Sequence, residues 1–484
     1  MAELLKRKYD IVVLKVQLRR LKSGDEEVSF KVQYSPHGIF TEGPAKVYPA
    51  ESICKADPRV ADRSTSPQSF FQLPQDMLEE LASWMNAECD YGQPLWVHLV
   101  SPYGLLRFVA WEEQLGHALG RPILMLPDFL FRQPREAARS IDIVICCSAP
   151  ASWEEHHVQR AIAEAIYATY EIERDRVTAH IFVDHPTRAM VEHALYAAPR
   201  PSFSIQFYSP VPSVLPVQLD ELSYAEDDLS LKTSWLDWIK LSLKGKSVDV
   251  VHFICHGYLS DRRGGLQFSK YPLEGGLSKR ATPVNADEVT NFLTQLGAWS
   301  TVFTSLEDNV SPLGLRALAD EIAQTRPGPM MMCKQGSTGL NTLAEAYRFL
   351  FSAYVPTPPQ SPGLFIYCQP ALAALPTYLS DVTEETTSVD FTRKSLARNS
   401  EQERVANLVS SESFYEPLYQ TAEDVPLNIA ATERFAEQVE LRYQKLARDE
   451  VVSSDSTTSV VDTVFETVNK LRSAVASLNA KGGL

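Results

Sequence analysis

The 484-residue chain contains no run of 18 unbroken apolar residues, the length a membrane-spanning helix requires. Its charged start, MAELLKRKYD, has no apolar h-region behind it, so neither a spanning helix nor a secretory leader is expected. Positive charge is also short. Against 61 Asp and Glu stand 46 Lys and Arg, a formal net charge of −15. That argues against nucleic acid or an anionic membrane as the main partner, because both need a basic footprint. A disulfide framework is missing too. The seven cysteines (54, 89, 146, 147, 255, 333 and 368) are odd in number, scattered, and mostly set in apolar runs. They read as reduced thiols used as small core residues, which places the protein in the cytoplasm. No internal repeat is present. What the chain does have is a 44% hydrophobic content, enough to build cores for two to four folding units.

Four regions follow from the texture. Residues 1–94 form a β-rich extension: YDIVVLKVQL and VSFKVQYS alternate around the turn RLKSGDEE, and DMLEELASWMNAE has helical spacing. From Leu95 to residue 378, strands alternate with helices, the sign of an α/β fold with a largely parallel sheet covered on both faces. PLWVHLV, IDIVICCSAP, VTAHIFV, SVDVVHFICHG, WSTVFTSL, PGPMMMC and LFIYC are the strands. Near-continuous apolarity over 248–256 predicts an interior strand. Residues 379–426 read as a linker, opening on a Ser/Thr/Glu-rich stretch that runs to 412, and 427–484 as a helical region. There Val461, Val464, Val468, Leu471, Val475 and Leu478 alternate by three and four, a coiled-coil seam that would dock a protein partner or a second copy.

The stretch VVHFICHGYLSDRRGGLQF, 250–268, carries the chemistry worth weighing. His252 and His256 have i,i+4 spacing, but on a strand that separates them by ~13 Å, too far to share a zinc ion. No metal or cofactor is expected. KGKS at 244–247 lacks the glycine and the strand–loop–helix context of a phosphate loop. Cys146 and Cys147 lack redox or metal spacing and read as core, as does Cys333. Successive strand residues face opposite ways, so Cys255 and His256 cannot form a dyad. Cys255 packs with Val251 and Phe253. His256, followed by a glycine and a polar loop, sits where parallel sheets carry their sites.

Residues 95 to about 368 resemble the CHAT domain, a caspase-like module of the caspase/gingipain clan common in bacteria. PLWVHLVSPYGLLRFVAWEEQL is similar to that family's opening signature, and VVHFICHGYLSDRRGGLQFS to its H-F-x-C-H-G…G-G-L-x-L segment. The resemblance implies a caspase-like three-layer sandwich in which His256 holds the position of the catalytic base. The family's nucleophilic cysteine ends the next core strand, where this chain has TVFTSLEDN, with Leu306 at the cysteine position and Ser305 before it. Leucine cannot attack a carbonyl, and Ser305 would need a bulge to face His256. Two expectations follow. One is a degenerate peptidase acting as scaffold, sensor or adaptor in a bacterial conflict or signalling system. The alternative is an active peptidase pairing His256 with a displaced nucleophile, Ser305 or a nearby cysteine such as Cys333.

Overall fold

The computed structural model describes residues 11–21, 25–34, 41–55, 70–100, 103–127, 140–148, 155–184, 187–188, 191, 202–210, 231–260, 263–272, 281–305, 311–326, 328–334, 340–352, 357–361, 363–368 and 370. The linker, the C-terminal helical region with its seam, and Leu306 lie outside them.

The N-terminal alternation forms a meander. Strands β1 (Val12–Arg20), β2 (Glu26–Tyr34) and β3 (Thr41–Pro49) pair antiparallel in order. Helix α1 (Gln75–Glu88) buries Met77, Leu81 and Met85, the stripe its spacing predicts. The chain then runs through β4 (Leu95–Val100), a 3-10 turn at Gly104–Phe108, α2 (Trp111–Leu119) and β5 (Ile123–Met125). Next come β6 (Ser140–Cys147), α3 (Glu155–Tyr170), β7 (Arg176–Val183), β8 (Phe203–Tyr208) and α4 (Ser234–Ser242). Strands β9 (Val250–Ile254), β10 (His256–Ser260), β11 (Arg263–Ser269) and β12 (Ala281–Asn285) lead to α5 (Ala286–Leu296). The last elements are β13 (Ser300–Ser305), α6 (Ser311–Thr325), β14 (Met330–Lys334), α7 (Leu340–Phe351) and β15 (Leu364–Tyr367).

Among the described residues, twelve strands make one sheet, in the order β3-β2-β1-β4-β5-β15-β14-β13-β9-β6-β7-β8. Because β1 pairs parallel with β4, the N-terminal extension is stitched into the α/β sheet. Pairing is mostly parallel, and the antiparallel β14–β15 contact joins two parallel halves of opposite direction. Strand alternation divides the core between the two faces. Val251, Phe253 and Cys255 pack in the layer of α4, α5 and α6, while Val250 and Ile254 pack with α3 and α7. This is a three-layer α/β arrangement. No described helix is long and apolar enough to cross a membrane.

Candidate functional site

Counted from β6, the run β8-β7-β6-β9-β13-β14 has the doubly wound order 3-2-1-4-5-6. Such sheets place ligands outside the carboxyl ends of the strands, at the switch point between the first and fourth strand. Here that point is the end of β6 and β9. All five residues of β9 are buried between the parallel neighbours β6 and β13, so the interior strand is where the apolar run predicts it. It is shorter than 248–256, however. The ladder closes where the Ser148 N–H donates to the Ile254 carbonyl at 3.1 Å, and β6 has no residue left to pair with Cys255. His256 therefore does not end β9. It opens β10, the first strand of a separate antiparallel sheet, β10-β11-β12, in which it pairs with Gln267.

That small sheet is clamped onto α6. A Cβ on Gly257 would lie 2.4 Å from the Ser311 carbonyl oxygen, and one on Gly314 2.4 Å from the Tyr258 carbonyl oxygen. Only glycines permit this approach of backbone to backbone. Its consequence is a contact that neither residue advertises in the sequence: His256 Nδ1 lies 2.8 Å from Ser311 Oγ. Ser311 is the first residue of α6 and is 1% exposed, against 9% for His256. The hydroxyl that meets the base position is thus Ser311, whereas Ser305 is buried at the end of β13, in register with Lys334 of β14. Behind them, strand ends and small sheet are tied together. Ser148 Oγ accepts the Ser269 N–H at 2.8 Å, and Ser269 Oγ accepts from Trp235 Nε1 at 3.0 Å.

Cys146, Cys147, Cys255, Cys333 and Cys368 are buried. Cys255 packs with Val251 and Phe253 as parity requires, and burial pushes its thiol well up. Burial raises the Cys146 and Cys147 thiols in the same way. A protonated thiol is a poor nucleophile. Cys333 belongs to the opposite layer, among residues of α3 and α7. His252 is a core histidine: its Nε2 lies 2.7 Å from Thr304 Oγ1 and its Nδ1 2.7 Å from Tyr347 Oη. Burial drives it down to about 3, so it is neutral. Among the described residues, no three His, Cys, Asp or Glu side chains are grouped to hold a metal ion.

Helix α6 is itself pinned by two buried charges that sequence reasoning passed over. Arg316 makes a two-pronged ion pair with Glu112 of α2, one arm at 2.8 Å, and its guanidinium stacks 4.2 Å above the Phe365 ring. Burial works against the Arg316 charge, but Glu112 beside it outweighs that and holds it up. One turn on, Asp320 accepts from Tyr103 Oη at 2.9 Å, Tyr367 Oη at 2.7 Å and Gln324 at 2.9 Å. The available signal was a pair of opposite charges at i,i+4 inside the small/apolar helix SPLGLRALADEIAQ. His256 and Ser311 line neither the cleft at Arg263, Asp287 and Glu321 nor the small cavity at Tyr103 and Asp320. No protein-family model, no curated protein and no solved structure matches the chain.

Proposed function

We propose that the chain is a degenerate CHAT-like, caspase-fold peptidase that works as a scaffold, sensor or adaptor in a bacterial conflict or signalling system in the cytoplasm. The observation that carries this reading is the His256–Ser311 contact. The base position faces a hydroxyl locked into a glycine-tight helix–sheet junction, and the thiol next to it in sequence is buried in the core with Val251 and Phe253. A general base needs a nucleophile that a substrate carbonyl can approach. In this reading His256 contributes a structural hydrogen bond, and recognition lies elsewhere, with the C-terminal helices docking a protein partner or a second copy.

Ser311→Ala and His256→Ala test it. Each should lower the melting temperature by a few degrees, the cost of one buried hydrogen bond (about 1 kcal/mol). Each should leave unchanged the activity of whatever complex the native chain forms. A deletion of residues 455–484 should abolish that complex while the α/β unit stays folded.

One observation favours the second reading, an active hydrolase with a displaced nucleophile. The 2.8 Å separation falls within the ~2.6–3.2 Å that general-base work requires. In that case the nucleophile is Ser311 instead of Ser305 or Cys333. Peptide or ester turnover lost in both Ser311→Ala and His256→Ala would establish it.

A further inference from the structure

The two edges of the large sheet, β3 and β8, are built differently. β3, TEGPAKVYP, carries Gly43, Pro44 and Lys46, and it pairs with β2 through an irregularity between Lys31 and Gln33. Proline, an edge lysine and a bulge are devices that keep an edge from taking up another strand. β8, FSIQFY, has none of them: it holds no charge, no proline and no glycine, and its Phe, Ile and Tyr residues are strong strand formers. It pairs parallel with β7, Phe203 opposite Val177. In that register the Val177 N–H donates to the Ser202 carbonyl at 2.8 Å, so every second residue from Ser202 turns its backbone groups toward β7. The N–H and C=O groups of Phe203, Ile205 and Phe207 therefore point away from the sheet, and no described strand pairs with them. Their side chains lie half-buried against the α3 layer, where Phe203 meets Tyr170 edge to face at 5.6 Å. Tyr167, three residues earlier on that side of α3, is 44% exposed. Ser204 and Gln206 are exposed on the opposite face.

We infer that β8 is a self-association edge, on which two copies of this chain pair β8 with β8 antiparallel about a twofold axis through Ile205. The strand itself selects a second copy as the occupant, because F-S-I-Q-F reads the same in chemical class from either end. With Ile205 opposite its own counterpart, Phe203 of one copy meets Phe207 of the other, and Ser204 meets Gln206. Directly opposite residues of an antiparallel pair share a face, so apolar meets apolar on the α3 side and polar meets polar on the other. The same register brings the outward-pointing residues into three pairs that exchange two bonds each, about six backbone hydrogen bonds, and sliding it by two positions loses one such pair. A formal charge of −15 opposes association in general, but β8 offers no charged side chain to face its counterpart. Association closes at two, since the twofold uses up β8 and β3 is blocked. A single strand pair is small beside the about 1,200–2,000 Å² of a standard interface, so the dimer is reversible. Nothing in this depends on the C-terminal helices or on His256 and Ser311.

Sedimentation velocity of the full chain over about 1–200 μM protein, read together with hydrogen exchange of the β8 amides, tests the inference. The chain should pass from monomer to dimer across this range, and the Phe203, Ile205 and Phe207 amides should slow as the dimer forms. Ser204→Lys combined with Gln206→Lys sets like charges opposite each other at exposed positions where folding is not at stake. It should weaken the dimer roughly tenfold or more. The added lysines lower the net charge, so a general charge effect would strengthen association instead. Ser204→Lys combined with Gln206→Glu sets opposite charges in the same places and should recover the dimer, more so at low salt. A chain that stays monomeric throughout overturns the inference, whether β8 then stays bare or takes a strand from a different protein. So does a dimer indifferent to both double variants, which would belong to another surface. A lysine–glutamate variant that associates no better than the lysine–lysine one overturns it too, because the register would be wrong.

Discussion

Gly314→Ala should destabilise the protein, although in an ordinary helix interior the same change is favourable by about 0.5–1 kcal/mol. The reversal comes from the helix–sheet junction. An alanine Cβ at 314 would sit 2.4 Å from the Tyr258 carbonyl oxygen and 2.6 Å from both its carbonyl carbon and its nitrogen. All three are backbone atoms, so no rotamer change can make room. Either α6 lifts from β10 or the strand bends. Overpacking of this kind costs roughly 1–3 kcal/mol where side chains can adjust, and a backbone obstacle belongs at or above the upper end. Set against the propensity gain, the net loss relative to the wild type is about 2 kcal/mol or more. For a unit of this size that corresponds to a melting temperature lower by on the order of 5 °C or more. Thermal and urea unfolding of the wild-type and variant chains provide the assay. A Gly314→Ala chain as stable as wild type, or more stable, would mean that α6 does not pack on β10 in this way. The His256–Ser311 contact would then lose its support, because it depends on the same junction.

Further outcomes follow from other buried groups. Burial raises the Asp249 carboxyl to about 7, well above its unfolded value near ~3.9, so the folded state holds its proton longer. Stability should therefore decline as pH rises from about 4 to 7 and level off above, and Asp249→Asn should flatten this stretch in urea midpoints taken at pH 5 and 8. The sign is opposite for His252. Its folded value of about 3 lies below the unfolded ~6.5, so its neutrality costs stability progressively as pH falls through that window. Tyr347→Phe, which removes the 2.7 Å partner of His252, should cost about 1–2 kcal/mol in the same assay. Glu112→Ala strands the Arg316 charge in the core and should cost roughly 3–5 kcal/mol, whereas replacing both partners with apolar residues of similar size should recover most of the loss in a double-mutant cycle.

Parity and apolarity made the centre of the sheet legible. The continuous apolar run through Val250 and Ile254 marked an interior strand, and alternation was enough to group Cys255 with Val251 and Phe253 before any coordinates. Alternation does not reveal where one sheet ends and another begins. His256 belongs to a second sheet because β6 runs out of residues at Cys147, a fact about a neighbour more than 100 residues earlier. Strands β3, β5 and β8 left little trace. β3 contains Gly43 and Pro44 and is half exposed, and β5 is three residues long. Ser311 was invisible as a partner. It is separated from His256 by 55 residues, and what brings it close is a pair of glycines, Gly257 and Gly314, that local spacing presents only as a strand-end turn and a helix interior. Arg316 and Asp320 could have been read as buried, since opposite charges within an apolar helix face must find partners, but which partners they find is decided by the tertiary fold alone.

The claim on which the account turns is that the His256 position serves no nucleophile. Incubating the full chain with a fluorophosphonate, which traps activated serines, and with a peptidyl acyloxymethyl ketone, which traps activated thiols, tests it most directly. Intact mass reads the outcome for the wild type, His256→Ala and Ser311→Ala. The account predicts no adduct from either probe on any of the three chains. A single covalent adduct on the wild type, mapped to Ser311, Ser305 or any cysteine and absent from His256→Ala, would contradict it and make the protein an enzyme.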